Sequence, residues 1–139
     1  MKRTWLITGV SSGFGYEMTK LLLESGNIVI GTVRNVAKVA GLIEKYPSTF
    51  DCRILDVCDV ESIRTVVHKS FAEHGRIDVV VSNAGYGLFG CAEELSENEI
   101  NRIIATNLTG SIMLIKYSLP FLRKQGGGNI IQISSYGGQ

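Results

Sequence analysis

The chain has 139 residues, 45% of them hydrophobic and 19% charged, which is enough apolar material for one folded domain and too much for a disordered one. Fourteen basic and thirteen acidic side chains leave a net charge of +1. That excludes the concentrated positive field of a nucleic-acid or polybasic membrane surface. The apolar runs fall short of the ~20 residues of a spanning helix. Met1-Lys2-Arg3-Thr4-Trp5 opens no signal-peptide pattern, so a cytoplasmic protein with neither membrane nor nucleic-acid partner is expected. Cys52, Cys58 and Cys91 are odd in number and lack CxxC spacing, so neither a disulfide framework nor a metal site is expected.

Strand and helix patterns alternate along the chain. Lys2 to Thr8 is a short apolar run closed by Gly9. Phe14, Met18, Leu21 and Leu22 follow at helical spacing, and Gly26 ends that helix. Ile28 to Val33 is β-branched without polar alternation, as in a strand covered on both faces. A helix is predicted over 36–45, stopped by Pro47, and a third strand over 50–56. Asp59 caps a helix whose Ile63, Val67 and Phe71 share one face; Gly75 ends it. Ile77 to Ser82 is the fourth strand, followed by a glycine-bearing loop from Asn83 to Leu95. Ser96-Glu97-Asn98-Glu99 is a capping box. It opens one long helix to about Lys124, bent or ended near Pro120. After Gly126-Gly127-Gly128, the stretch 129–134 is the fifth strand. Five strands alternating with four helices predict an α/β fold with a parallel, doubly wound, Rossmann-like sheet. His68 and His74 fall beside Lys69 and Glu73 and are expected on a solvated face.

The first strand runs into Thr8-Gly9-Val10-Ser11-Ser12-Gly13-Phe14-Gly15 and then a helix. A pyrophosphate is held this way, on the amides and positive dipole end of a helix N-terminus. Gly9 would permit the turn, Gly13 the close approach of backbone to ligand, and Gly15 tight packing of helix on strand. The spacing is neither that of G-x-G-x-x-G nor that of a triphosphatase loop.

The TGxxxGxG pattern at Thr8 to Gly15 resembles the short-chain dehydrogenase/reductase family, and the resemblance covers all 139 residues. It implies a cofactor site made of Gly9, Ser11, Ser12, Gly13, Phe14, Gly15, Arg34, Asp56, Val57 and the Asn83-Ala84-Gly85 motif. Asp56 would bond the adenine amino group. It implies catalytic contributions from Asn107, which would disturb its helix and hold a water in a proton relay, and from Ser135, which would orient the substrate oxygen.

Each match also has a plainer reading. Asp56 can be a turn residue, Gly85 a turn glycine, and Ser135 a strand-end serine. Asn107 shares an apolar helix stripe with Ile100, Ile103 and Ile104, and can be a satisfied structural amide. Cofactor choice is read from Thr32-Val33-Arg34-Asn35: no acid stands where one would bond the ribose 2′-hydroxyl of NAD, and Arg34 can pair with a 2′-phosphate. NADP is favoured over NAD, although Ser12 stands where some members carry a second basic residue.

In the family, a Tyr in a Tyr-x-x-x-Lys motif about a dozen residues beyond the serine acts as general acid or base. The 139 residues end before that point. Tyr16 and Lys20 match the spacing, but on the first helix, away from any substrate. The expectation is therefore one NAD(P)-binding Rossmann domain over 1–139, incomplete. It would be part of an oxidoreductase moving a hydride between nicotinamide and a carbonyl or secondary alcohol, homo-oligomeric at full length and inactive as this chain alone. A non-catalytic nucleotide-binding fragment or module, or a half-protein completed by a partner, are the alternatives. Tyr86-Gly87-Leu88-Phe89-Gly90 can line a hydrophobic substrate site or belong to the core.

Overall fold

The computed structural model describes residues 1–136. Five parallel strands form one sheet in the order β3-β2-β1-β4-β5: β1 Thr4–Thr8, β2 Ile28–Val33, β3 Phe50–Ile54, β4 Val79–Ser82 and β5 Asn129–Gln132. Each strand is two residues shorter than the run that announces it, except β2, which coincides with its run. Leu55 N still donates to Val33 O and Ile133 N to Ser82 O, so pairing frays just beyond β3 and β5.

Successive strand residues enter opposite layers, which is why the runs show no polar alternation. Leu6, Ile30 and Val80 pack in one core with Ile63, Val67, Phe71, Leu114 and Leu122. Ile7, Val29, Val79 and Val81 pack in the other with Val10, Leu23, Val39, Leu42 and Phe50. Helices α1 (Gly13–Glu24) and α2 (Ala40–Lys45) cover the second face, and α3 (Val60–His74) the first. A 3-10 turn, Val36–Val39, capped by Asn35, precedes α2. Four of the ten residues read as one helix are therefore a 3-10 turn.

The predicted long helix is three pieces: α4 (Glu97–Ile104), a π turn (Ala105–Thr109) and α5 (Gly110–Lys124). The capping box is present at Ser96, with Glu99 N donating to Ser96 Oγ at 3.1 Å and Ser96 N to Glu99 Oε2 at 2.7 Å. Pro120 neither ends nor divides α5, which runs on to Lys124. α3 and α5 pack through stacked rings of Phe71 and Phe121, 4.7 Å between centroids. β5 is an edge of the sheet, and most of its residues are exposed.

His74 departs from the solvated face expected of it. Its Nε2 donates to Asp51 Oδ2 at 2.8 Å, which fastens the end of α3 to β3. His68 is exposed but meets the Phe121 ring edge-on at 5.0 Å. Among the described residues no helix is long and apolar enough to cross a membrane.

Candidate functional site

The carboxyl ends of β1, β2, β3 and β4 open onto one cleft of about 380 Å³, within the ~300–1,000 Å³ range of small-molecule sites. Open α/β sheets bind ligands at this end of their strands, where the strand order reverses. Here the order reverses between β1 and β4.

One wall is the turn from β1 into α1. Gly9 N and Val10 N both donate to Thr32 O at 3.1 Å, so β2 holds the turn. Gly9 has φ +72°, and a Cβ on it would lie 2.8 Å from Ala84 Cα; both the backbone and the space require glycine. Gly13, at φ +58°, has nothing within 4 Å of where its Cβ would be, so it leaves this wall open. Gly15 is buried behind the wall and does not line the cleft; a Cβ there would strike Gly9 O and Asn83 Nδ2. The tight packing expected of Gly15 is thus against the turn and the loop after β4. No side chain caps α1 and no acid stands in its first turn. The first-turn amides and the positive dipole end are left available beside Ser11, Ser12 and Phe14.

A second wall is the loop after β4. Asn83 Nδ2 donates to Thr8 O and Gly9 O, each at 3.0 Å. Thr8 Oγ1 accepts from Asn83 N at 3.0 Å and Ala84 N at 3.1 Å. The two loops are thereby locked into one surface. Gly85 is followed by Tyr86, whose backbone N donates to Asn107 Oδ1 at 3.1 Å and whose O accepts from Asn107 Nδ2 at 2.7 Å. Asn107 sits within the π turn, so the helix is disturbed at the expected residue. Both of its amide atoms are satisfied by the loop.

The third side holds Thr32, Val33, Arg34, Leu55, Asp56 and Val57. Val33 is buried, 2% exposed, where an acid would have met a ribose. Arg34 is exposed and forms no ion pair among the described residues. Asp56 Oδ1 accepts from Cys58 N at 3.0 Å, an ordinary turn bond that leaves Oδ2 without a partner among the described residues.

Of the expected site residues, the structure gathers Gly9, Ser11, Ser12, Gly13, Phe14, Arg34, Asp56, Val57, Asn83, Ala84 and Gly85 around one cleft. Asn107 is joined to it through Tyr86. Ser135 is exposed, just past the carboxyl end of β5, and is not among the residues lining the cleft. Phe89 is 93% exposed, so it is not a core residue. Sequence reading missed Arg102 and Thr106, which line the cleft from α4 and the π turn. Their spacing of four, off the Ile100–Ile103–Ile104 stripe, was the available signal.

Known proteins resemble this chain over nearly its whole length. The short chain dehydrogenase family model matches residues 3–139. A 3-ketodihydrosphingosine reductase of Bacteroides thetaiotaomicron is 39% identical over 96% of this chain and 47% of its own length. Retinol dehydrogenase 8 of Bos taurus is 34% identical over 96% of this chain and 44% of its own. A short-chain dehydrogenase structure from Streptomyces avermitilis superposes with TM-score 0.95 at 38% identity, covering 99% of this chain and 51% of that one. A metagenomic short-chain oxidoreductase solved in complex with NADP superposes at TM-score 0.91 with 29% identity, covering 99% of this chain and 64% of that one. The chain spans about half the length of the curated relatives it matches. With the glycine turn, the asparagine loop and the five-stranded sheet in place, the chain belongs to the short chain dehydrogenase family of oxidoreductases.

Proposed function

We propose that residues 1–139 form the cofactor-binding part of a cytoplasmic, NADP(H)-dependent short-chain oxidoreductase whose substrate is a small carbonyl compound or secondary alcohol. The observation that carries the cofactor choice is a buried Val33 followed by an exposed Arg34 on the cleft, with no ion-pair partner for Arg34 among the described residues. A carboxylate at the end of β2 would repel a 2′-phosphate, whereas a guanidinium pairs with it in two parallel bonds.

The residues present fit a dinucleotide. Gly13 leaves the cleft wall open beside uncapped helix amides, and Asp56 Oδ2 has no partner among the described residues. When bound, the nicotinamide supplies or accepts the hydride. Ser11, Ser12, Gly13 and Phe14 receive the pyrophosphate on the α1 amides, with Gly15 packing the turn behind them. Arg34 pairs with the 2′-phosphate. Asp56 Oδ2 accepts from the adenine amino group, with Val57 beside it. Asn83, Ala84 and Gly85 form the wall against which the cofactor lies. Asn107 holds that wall through Tyr86. Ser135, at the end of β5, orients the substrate oxygen. A second copy of the full-length protein completes a homo-oligomer. Fluorescence titration of the protein with NADPH and NADH tests the reading: tighter binding of NADPH is expected, and equal or reversed affinity overturns the choice of NADP.

A further inference from the structure

Arg102 lies on the exposed side of α4, in its last turn, yet it lines the cleft together with Leu55, Asp56, Val57 and Thr106. A basic residue in a last helical turn ordinarily complements the helix dipole. That explanation is weak here, because α4 runs without a break into the π turn and α5, so its carbonyls do not form a free helix end. Arg102 also has no hydrogen bond and no ion pair among the described residues, unlike Arg53, Arg64 and Arg76.

Its place in the cleft is set by contacts further along the same helical line. Thr106, one turn on, meets Cys58 through Oγ1 and Sγ, 3.0 Å apart. Gly110, a further turn on, lets the start of α5 close on the loop after β3; a Cβ there would lie 2.7 Å from Val57 O. These two contacts hold the α4–α5 line against the Asp56–Cys58 loop, and Arg102 stands where that line borders the cleft. Leu55, Asp56 and Val57 line the same cleft, and Asp56 Oδ2 has no partner among the described residues. An aliphatic wall with one acceptor suits the flat face and amino edge of a purine. A guanidinium lining the same cleft suits a purine's face, since it is planar and stacks on aromatic rings.

We infer that Arg102 is a further cofactor-binding residue, laying its guanidinium against the adenine base that Asp56 holds by its edge. The inference rests on the proposed dinucleotide site. Because the base is common to both nicotinamide nucleotides, Arg102 governs affinity without choosing between them, in contrast to Arg34.

The test uses the full chain with Arg102→Gln and Arg102→Lys. NADPH, NADH and adenosine 2′,5′-bisphosphate are titrated, and thermal unfolding serves as the folding control. Arg102→Gln is expected to weaken all three ligands by about fivefold. Arg102→Lys, which keeps the charge but not the plane, is expected to lose nearly as much. Both variants should melt with the wild type, because Arg102 has no partner to lose among the described residues. Unchanged affinities overturn the inference. So does a loss confined to NADPH, or full retention by Arg102→Lys, since either assigns Arg102 to a phosphate. Should the wild type bind neither NADPH nor NADH, the dinucleotide reading itself fails, and the inference with it.

Discussion

The side-chain amide of Asn107 is bound at both ends to the backbone of one residue, Tyr86, at 3.1 and 2.7 Å. A helix and the loop after β4 are joined there by a peptide-like pair of hydrogen bonds. Asn107 lies in the π turn that separates α4 from α5. The wide turn and the double bond together fix where the loop wall of the cleft stands.

Replacing Asn107 with Leu removes both bonds. Tyr86 is exposed, so water takes over its backbone groups and the loss of stability is modest, about 1 kcal/mol. The larger effect is local: amide exchange at Tyr86 and its neighbours accelerates while exchange in β1 and β4 does not. Uniform acceleration across the sheet would show that Asn107 supports the whole fold rather than this loop.

Gly9 and Gly13 share left-handed backbone but not surroundings. Gly9 has Ala84 Cα 2.8 Å from its would-be Cβ, and Gly13 has open space. Gly13→Ala is therefore expected to cost about 1–2 kcal/mol, the conformational penalty alone. Gly9→Ala adds the clash with a backbone already tied by Asn83, and about 2 kcal/mol more is expected. Chemical denaturation of the two variants gives the difference. Equal costs would mean that the turn and the Asn83 loop do not press on each other as described.

Much of this was written in the sequence, for identifiable reasons. Strands covered on both faces need unbroken apolar runs, and Leu6 and Ile7 go to opposite cores for that reason. The capping box at Ser96 is local chemistry and reads directly. What escaped depends on neighbours distant in the chain. The apolar stripe Ile100–Ile103–Ile104–Asn107 continues across the π turn, so periodicity alone reads one helix where there are three pieces. His74 looks solvated beside Glu73 because its partner, Asp51, is 23 residues away. Arg102 looks like a helix-end cation until the loop after β3 is brought beside it. The position of Arg34 on the cleft was legible because the end of β2 is fixed by the strand itself.

Arg34→Ser separates the two nicotinamide nucleotides. The loss of a charge-assisted pair with a phosphate corresponds to roughly tenfold to hundredfold weaker NADPH binding. NADH affinity should stay within about twofold, because the 2′-hydroxyl does not need the guanidinium. Calorimetry or fluorescence titration reads both. Parallel losses would move Arg34 from cofactor choice to a general role in binding.

The edge of the sheet at β3 carries its own pH dependence. Partial burial pushes the Asp51 carboxyl up. Hydrogen bonds and charge from Arg53 and His74 outweigh this and hold it below its ordinary value. Arg53 Nη2 reaches Asp51 Oδ2 at 2.6 Å and His74 Nε2 reaches the same oxygen at 2.8 Å, while Arg53 also pairs with Glu73. A carboxyl depressed by folding binds fewer protons in the folded chain than in the unfolded one. Its stabilisation is therefore complete above the ordinary carboxylate range and is lost as pH falls through the depressed value. Asp51→Asn should cost about 1 kcal/mol at neutral pH, allowing for the partial exposure of the network. It should also flatten the acid limb of the stability profile between about pH 5 and pH 2. Denaturant midpoints taken across that range for wild type and variant make the comparison. An acid limb equally steep in both would place the titrating group elsewhere and reduce the Asp51–Arg53–His74 cluster to a surface contact.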